Sequence, residues 1–267
     1  YQDKFKTLKC RYESLVNQKL KKVVKSLKQM EYQVLQNEKA DTYRLYGDLI
    51  MANLYNLKDY SKDISVYDYE NDKQVSIKLE ETKTLKDNAN KFYKLYNKAK
   101  TSNSKLAELM EDLVQKKIFF ENLLYSIRIA KTLIDLFELT DEIEEDKKSI
   151  KASKHHSEPL KIDLGNETWI YIGRNNKQND MIVSKISSED DLWFHTKDCP
   201  GSHILLKTQK VTDELIYKCA KYAKEYSNAS TSTKAGIIYT KRKYLRKPPA
   251  AALGYVTYKN EKEIVVE

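Results

Sequence analysis

The chain has 267 residues, enough for one or two domains with cores of their own, and it begins with Tyr1, so we expect a piece of a longer protein. Its 48 lysines and arginines exceed its 39 aspartates and glutamates, and the net charge of +9 favours a polyanionic partner, although a solvated lysine-rich surface would give the same balance. Its three cysteines are widely spaced, without a CxxC motif, so they indicate neither a disulfide framework nor a zinc ribbon and favour the cytoplasm. No run of residues approaches the roughly 20 apolar positions of a membrane span.

Two long segments show the apolar spacing of a coiled coil. In residues 4–46, apolar side chains recur at alternating steps of three and four from Val16 to Val34, with no glycine or proline to interrupt them. Residues 104–146 show the same alternation, broken once by Lys116. Two arms of matched length in one chain predict a long antiparallel coiled-coil helical hairpin. A parallel coiled coil between two chains is the alternative.

Between the two arms the periodicity changes from that of helices to that of strands. Residues 64–69 and 74–79 alternate apolar and polar side chains, and residues 70–73 can form the turn between them. We therefore expect a small β-hairpin tip module within residues 47–103, carried far from the body that supports it. Residues 1–148 form a coiled-coil middle region in this interpretation.

A polar stretch at residues 149–159 is typical of a linker. Its two neighbouring histidines, His155 and His156, have no third ligand near them in the sequence and do not indicate a metal site. In residues 160–267, short apolar runs alternate with turn signals, and residues 213–226 have helical spacing. The sequence therefore predicts a compact, mostly antiparallel α+β domain at the C-terminus and an α+β class for the whole chain.

The stretch that ends at Asp180 consists almost entirely of amide and cationic side chains. Such groups suit phosphate oxygens, ribose hydroxyls and base edges, and an ordinary polar loop is the alternative. We expect Asp180 to cap a helix that starts at Met181, which would add the anion preference of a helix N-terminus. The candidate nucleic-acid-binding residues of this stretch are Arg174, Asn175, Asn176, Lys177, Gln178 and Asn179.

A second basic segment, residues 240–248, holds five cations and a tyrosine. On a strand, Arg242, Tyr244 and Arg246 would project from the same face, and a tyrosine between guanidinium groups is well suited to hold RNA. A localisation signal is the alternative, which a folded strand would serve poorly. The candidate binding residues of this segment are Lys241, Arg242, Lys243, Tyr244, Arg246 and Lys247.

A third candidate group lies beside the turn at residues 198–201 and comprises Trp193, His195, Lys197 and His203. His195, Cys199 and His203 do not indicate a metal site, because the proline and glycine of the turn prevent the helix that would align them. Cys199 lacks the orienting third group that a nucleophile requires. The sequence has no Walker loop, paired-carboxylate constellation or HExxH motif, so we expect no catalytic residue and no cofactor.

Residues 171–180 and 191–203, the second range including the sequence Trp193-Phe194-His195, closely resemble the C-terminal NFACT-R domain of the NFACT family. Bacterial members of this family are called RqcH or fibronectin-binding protein A. Upstream, residues 43–55 and 88–98 resemble the coiled-coil middle region of the same family. The resemblance therefore implies a coiled-coil middle region followed by an NFACT-R domain, with the N-terminal NFACT-N domain absent.

This resemblance implies a role in ribosome-associated quality control. Members of the family bind a large ribosomal subunit that holds an obstructed peptidyl-tRNA, recruit tRNA, and promote untemplated C-terminal alanine tailing of the stalled chain. We therefore expect large-subunit RNA and proteins as partners, tRNA mainly through the N-terminal domain, and rescue of stalled ribosomes in the cytoplasm. The alternatives are a cell-surface adhesin that binds fibronectin and a structural coiled-coil adaptor that docks a protein.

Overall fold

The computed structural model describes residues 2–143 and 158–267, which divide into two compact units. One unit comprises residues 1–24 and 114–267, and the other comprises residues 25–113. The paired histidines at positions 155 and 156, and most of the expected linker, lie outside the described residues.

Helices make up most of the first half of the chain. Their bounds are Gln2–Asn37 for α1, Ala40–Ala52 for α2, Leu85–Ile129 for α3, Leu133–Glu138 for α4 and Thr140–Ile143 for α5. The alternating apolar spacing places Val16 and Val23 of α1 and Leu123 and Ile127 of α3 among the buried residues, as expected for a coiled-coil seam. Among the helices of residues 2–143 and 158–267, none has the length and apolar character needed to cross a membrane.

Contacts within the first unit show that α1 and α3 run in opposite directions. Lys9 Nζ donates to the backbone oxygen of Arg128 at 2.6 Å. Further along α1, Lys19 Nζ lies 5.9 Å from the ring centroid of Phe120, which precedes Arg128 in α3. A step forward along α1 is therefore a step backward along α3, and the predicted antiparallel pairing of the helices is confirmed.

The helices begin and end at residues other than those predicted for the two arms. The apolar period predicts single arms over residues 4–46 and 104–146. In the structure a turn separates α1 from α2, and α3 begins well before residue 104 and ends at Ile129, well before residue 146. α3 starts early because Thr84 caps it, with its Oγ1 accepting from the backbone N–H of Asp87 at 3.1 Å. After α3 ends, Thr132 opens α4 with a capping box. The domain limits given above remain predictions.

A β-hairpin forms in the second unit at the predicted position. β1 (Asp63–Asp68) pairs antiparallel with β2 (Lys73–Lys78). Successive side chains of a strand point to opposite faces, so one face of the hairpin is apolar and packs against residues of α2 and α3. The buried side chains of this face are Ile64, Val66, Val75 and Ile77.

A six-stranded sheet forms the centre of the C-terminal part. Its strands lie in the order β10-β7-β5-β6-β4-β3, and each neighbouring pair is antiparallel. The strands are β3 (Leu160–Asp163), β4 (Trp169–Ile172), β5 (Leu192–Thr196), β6 (Ile204–Lys207), β7 (Ala235–Lys241) and β10 (Lys262–Val266). A separate two-residue ladder joins β8 (Leu245–Arg246) to β9 (Thr257–Tyr258). The predicted α+β class and the mostly antiparallel C-terminal domain are confirmed.

The two faces of this sheet pack against different elements. Phe194 belongs to a buried cluster with α7 (Asp213–Glu225), whereas its neighbour Trp193 belongs to a second cluster. That second cluster includes residues of a π-helical turn (Ile182–Ile186), which continues α6 (Asn176–Met181). The amide-rich stretch, the basic segment and the indole of Trp193 are thereby brought to the same side of the sheet, opposite α7.

Candidate nucleic-acid interface

The amide-rich stretch folds as a cap and a helix. Asn175 is extended, with φ −150° and ψ 171°, and its Oδ1 accepts from the backbone N–H of Gln178 at 2.9 Å, so that α6 begins at Asn176. Asparagine is a favoured cap because its short side chain reaches a free N–H group of the first turn. The prediction that Asp180 caps a helix starting at Met181 is therefore wrong, because both residues lie inside α6.

Most of the amides in this stretch bond to the fold itself. Asn179 Oδ1 accepts from the backbone N–H of His203 at 3.0 Å, and Gln178 Oε1 accepts from the backbone N–H of Arg174 at 2.9 Å. The buried members of the candidate set are Asn175, Asn176, Gln178 and Asn179. Of the six candidates in the stretch, Arg174 is exposed and Lys177 is half-buried. The amides therefore shape the stretch, and the two cations are its surface groups.

Two residues of α6 also join the sheet domain to the short helix α5. Asn176 Nδ2 donates to Glu142 Oε2 at 3.1 Å and to the backbone oxygen of Phe119 at 3.3 Å. Lys177 Nζ donates to Asp141 Oδ2 at 3.1 Å. Burial raises the pKa of Glu142 to about 7, against the lowering effects of the hydrogen bond from Asn176 and the charge of Lys177.

Arg174 lies beside a cleft of about 350 Å³ in the same unit. Lys131 adds a second cation to the lining, and the lining also includes Asp135 and Glu225. Burial acts to raise the pKa of Asp135, but hydrogen bonds from the backbone of Lys131 and Thr132 and from the Thr132 side chain, with a smaller effect of the Arg174 charge, hold this pKa below its ordinary value. Because cations and carboxylates share this cleft, its charge is mixed and does not by itself favour a polyanion.

The basic segment leaves the sheet after β7 and forms a 3-10 turn over Arg242–Tyr244. Two backbone N–H groups of the turn donate to the carbonyl oxygens of Asp191, at 2.9 Å, and Glu189, at 3.0 Å. These bonds draw the main chain out of the ladder, and β8 extends over only two residues. The prediction that Arg242, Tyr244 and Arg246 share one strand face is therefore wrong.

The cations of this segment have different environments. Arg242 is half-buried, and its Nε donates to the backbone oxygen of Val183 at 2.9 Å, so it holds the turn against the helical segment below. Lys241 and Lys243 each donate from Nζ to Asp190 Oδ1 at 3.0 Å. The hydrogen bonds from Lys243 and Lys241 hold the pKa of Asp190 below its ordinary value.

Several side chains of this segment are exposed, and we refer to them as the basic turn: Lys241, Lys243, Tyr244, Arg246 and Lys247. Lys247 contacts Asp180, and Lys243 lies 5.8 Å from the ring centroid of Tyr244. Exposed ion pairs of this kind contribute little to stability, so a phosphate group can replace the carboxylates at little cost. The basic turn is therefore the largest group of exposed cations among the candidate residues.

The third candidate group forms an aromatic cluster in the wall of the sheet. The indole of Trp193 stacks on the imidazole of His195, with 5.8 Å between ring centroids and 4° between planes, and meets His203 edge-on at 5.2 Å. Trp193 and His203 are 2% and 3% exposed, whereas Lys197 is exposed and donates to Glu263 at 2.7 Å. Burial lowers the pKa of both imidazoles, so they are uncharged at neutral pH.

Sequence reasoning singled out Asp180 only as a helix cap and assigned no role in this interface to Asp190 or Glu142. Asp190 and Asp180 bind lysines of the basic turn, and Glu142 holds α6 to α5. Asp190 follows the equally acidic Glu189, a pattern that does not reveal which side chain turns towards the cations. Among the residues that the structure describes, no group of three or more His, Cys, Asp or Glu is placed to hold a metal ion.

Two family models match the chain. The model described as NFACT N-terminal and middle domains matches residues 1–161, and the NFACT protein RNA binding domain matches residues 162–260. The expected absence of the N-terminal NFACT domain is therefore wrong. A single model joins the N-terminal and middle domains, and the helical segment that we interpreted as a middle region alone matches that model.

Curated relatives match nearly the whole chain. The Rqc2 homolog RqcH of Bacillus subtilis (strain 168) is 32% identical over 263 residues, which cover 94% of this chain and 46% of that protein. The Rqc2 homolog RqcH of Streptococcus suis is 27% identical over 257 residues, with the same coverage of 94% and 46%. This chain thus spans just under half the length of these relatives.

A solved structure shares the fold. The C-terminal part of the fibronectin/fibrinogen-binding protein from Streptococcus suis is 25% identical, with a TM-score of 0.73, and the match covers 98% of this chain and 94% of that one. The family matches extend in two adjoining blocks from residue 1 to residue 260, and the RqcH of Bacillus subtilis matches through both of them. The chain belongs to the NFACT family.

Proposed function

We propose that this chain is part of a ribosome-associated quality-control factor and holds RNA of the large ribosomal subunit through the basic turn. The whole factor binds a cytoplasmic large subunit that carries an obstructed peptidyl-tRNA, and it supports C-terminal alanine tailing of the stalled chain. The observation that carries the proposal is the exposed set of four cations around Tyr244, in a segment matched by a family model described as RNA binding.

The chemistry of the basic turn suits a nucleic-acid backbone. Lysine and arginine side chains that remain at the surface can neutralise phosphates and release bound counterions, which supplies most of the sequence-independent affinity. Tyr244 is 37% exposed, so its ring is available to stack on an unpaired base. Arg246 adds a planar guanidinium, which can bind a phosphate through two parallel hydrogen bonds.

In this proposal the chain forms no covalent bond itself. The ribosome joins each alanine to the stalled peptide, and the factor keeps the subunit and the tRNA in place. The tRNA is bound mainly by residues of the N-terminal domain. Arg174 and Lys177, at the surface of the amide-rich stretch, form a second and smaller contact with the ribosome.

A filter-binding experiment with large-subunit RNA tests the role of the basic turn. The triple variant Lys243→Ala, Arg246→Ala and Lys247→Ala should bind more weakly, and the salt dependence of its affinity should be shallower by about three counterions. The matched control removes three exposed lysines on and beside α7, on the other side of the sheet: Lys210→Ala, Lys218→Ala and Lys221→Ala. Equal losses of RNA affinity in both triple variants would show that RNA binding depends on net charge alone and not on the basic turn.

The same assay also tests the second contact, at Arg174 and Lys177, and the adhesin alternative. The double variant Arg174→Ala and Lys177→Ala should lose less affinity than the basic-turn variant, and unchanged binding would remove this contact from the proposal. Fibronectin binding is stated in the name of the Streptococcus suis protein. If this chain bound fibronectin at high salt and failed to bind RNA at low salt, the adhesin alternative would be favoured.

A further inference from the structure

A cavity of about 290 Å³ lies beside the aromatic cluster, within the unit that contains the sheet. Its lining includes Trp193, His195 and His203 from the sheet side, Ile118 from α3, and Tyr258 from β9. The volume is far larger than the roughly 10–15 Å³ that a single water molecule requires. The cavity is therefore large enough for an organic group.

Three ring nitrogens of residues that line this cavity are buried and have no hydrogen-bond partner in the described part of the chain. They are Trp193 Nε1, His195 Nε2 and His203 Nδ1. Buried polar atoms of folded proteins are nearly always hydrogen-bonded, because an unbonded one retains the full cost of its removal from water. Three such atoms on adjacent side chains leave hydrogen bonds for a bound ligand or for water to supply.

The hydrogen-bonding role of each nitrogen follows from its surroundings. His195 Nδ1 lies 2.6 Å from the carbonyl oxygen of Thr196, which can only accept, so Nδ1 carries the proton. Burial lowers the pKa of His195 against the smaller raising effects of the backbone at Thr196 and Gly201, so the ring is uncharged. An uncharged imidazole has one N–H group, and Nε2 of His195 is therefore an acceptor.

The other two nitrogens complete the pattern. Burial, and then the neighbouring His195, hold the pKa of His203 well below its ordinary value, while the backbone of Asn179 accepts a hydrogen bond from its ring. Nδ1 of His203 has no partner and is therefore the unprotonated acceptor of that ring. The indole nitrogen of Trp193 can only donate. The wall thus presents one donor and two acceptors on uncharged aromatic rings.

We infer that this cavity binds a single unpaired nucleobase of the RNA held by the basic turn, an inference that rests on the proposed function. A phosphate or carboxylate offers no N–H group to the two imidazole acceptors. The Watson–Crick edge of a nucleobase combines N–H donors with acceptor atoms in one plane, and its ring suits an aromatic lining.

The cavity and the basic turn are connected by one short ladder. Tyr258, at the cavity, pairs with Leu245, and the adjacent Thr257 pairs with Arg246 of the basic turn. The backbone N–H of Lys259 also donates to the carbonyl oxygen of Tyr244 at 3.2 Å. One RNA strand can therefore place a phosphate on the basic turn and the base of a nearby nucleotide in the cavity.

Fluorescence anisotropy with short RNA tests this inference on the full chain. The probes are ten-nucleotide RNAs that are abasic at every position except the middle one, which carries A, C, G or U, and a fifth probe is wholly abasic. At least one base should tighten binding by about tenfold over the wholly abasic probe, the effect of one or two buried hydrogen bonds. This gain should not depend on salt, whereas the affinity for the abasic probe should fall as salt rises.

Two variants test whether the gain in affinity from the single base arises in the cavity. His203→Phe removes an acceptor and keeps the ring, and Ile118→Trp fills the cavity without changing a polar group; each should abolish the gain and preserve the salt-dependent affinity for the abasic probe. Ile134→Trp, at a position on α4 that is 67% exposed, is the matched control and should retain the gain. Thermal unfolding checks that each variant is folded, and if His203→Phe does not fold, Ile118→Trp decides alone.

The outcomes separate the inference from the function on which it rests. If all five probes bind equally in a salt-dependent manner, or if the gain survives in Ile118→Trp, the cavity is not a base site although the chain binds RNA. If no probe binds even at low salt, the proposed RNA binding fails and the inference fails with it.

Discussion

Asn176 and Glu142 form a buried hydrogen bond, with 3.1 Å between Nδ2 and Oε2, that ties α6 of the sheet domain to α5. Glu142 is 3% exposed, and its Oε1 has no partner among the described residues. A carboxylate in this position loses most of its hydration, so burial raises its pKa to about 7. Burial therefore favours the protonated carboxyl of Glu142, although the hydrogen bond from Asn176 favours the ionised form.

The stability of this unit should fall as the pH rises through the range in which Glu142 ionises. Because the folded pKa of about 7 lies above the ordinary value of 4.5, the folded chain holds a proton that the unfolded chain releases. The contribution of Glu142 is fully present below pH 4.5 and is lost as the pH rises to about 7, a difference of up to about 3 kcal/mol.

Glu142→Gln should remove the loss of stability between pH 4.5 and about 7, because glutamine resembles the protonated carboxyl. Urea unfolding followed by tryptophan fluorescence measures it, since Trp169 and Trp193, the two tryptophans of the chain, both lie in the sheet domain. The control Glu111→Gln, at an exposed position, should keep the pH dependence of the unmodified chain. An unchanged pH dependence in Glu142→Gln would contradict this account.

Gly173→Ala should destabilise the sheet domain by on the order of 3 kcal/mol, at the upper end of the range for overpacking. A Cβ at this position would lie 2.2 Å from Asn179 Oδ1, the atom that accepts from the backbone N–H of His203, and 2.9 Å from the Asn179 nitrogen. Gly165→Ala has nothing within 4 Å of the new Cβ and only strains a φ of +78°, at a cost of about 1 kcal/mol. Chemical unfolding should rank the two variants in this order, and the reverse order would show that Asn179 moves aside freely.

Asp190→Asn should strengthen RNA binding by about twofold to fivefold, the range that exposed ion-pair energies allow. Asp190 accepts hydrogen bonds from both Lys241 and Lys243, and its removal leaves these cations free to bind phosphates. The affinity should also depend more steeply on salt. Anisotropy titration with single-stranded RNA measures both effects. Asp213→Asn, in the first turn of α7, removes the same charge elsewhere, and an equal gain in this control would show that only net charge matters.

Arg242 and Lys243 are neighbours in sequence with separable roles. Arg242→Met keeps most of the apolar stem and removes the hydrogen bond to Val183, so it should lower the free energy of unfolding by about 1–2 kcal/mol. Lys243→Met, at an exposed position, should leave stability nearly unchanged while it weakens RNA binding. Urea unfolding and RNA titration of both variants check this division, and similar losses of stability would contradict it.

The elements that the sequence predicts well are those whose apolar period reflects burial. The β-hairpin at β1 and β2 follows from strict alternation, because the same alternation places Ile64 and Val66 in one buried cluster. Helix ends are harder to predict, because the apolar period continues across the break at Thr132 and only the cap marks it. Capping depends on hydrogen bonds that backbone N–H groups donate to side chains such as Thr84, which composition does not single out from other threonines.

The amide-rich stretch shows where sequence reasoning about a site ends. Its composition indicates groups that bond to polar partners, yet Gln178 and Asn179 find those partners in the backbone of the fold itself. The unpartnered nitrogens of Trp193 and His203 arise from three-dimensional packing around the cavity, and no spacing in the sequence predicts them.

A photo-crosslinking amino acid on obstructed large ribosomal subunits tests the central claim most directly. It is placed at Tyr244, in the basic turn, and separately at Tyr217 of α7, because these tyrosines are similarly accessible, at 37% and 40% exposed. The account predicts ribosomal RNA adducts from position 244 that disappear at high salt, and none from position 217. Equal crosslinking from the two positions, or crosslinks from position 244 to protein alone, would contradict it.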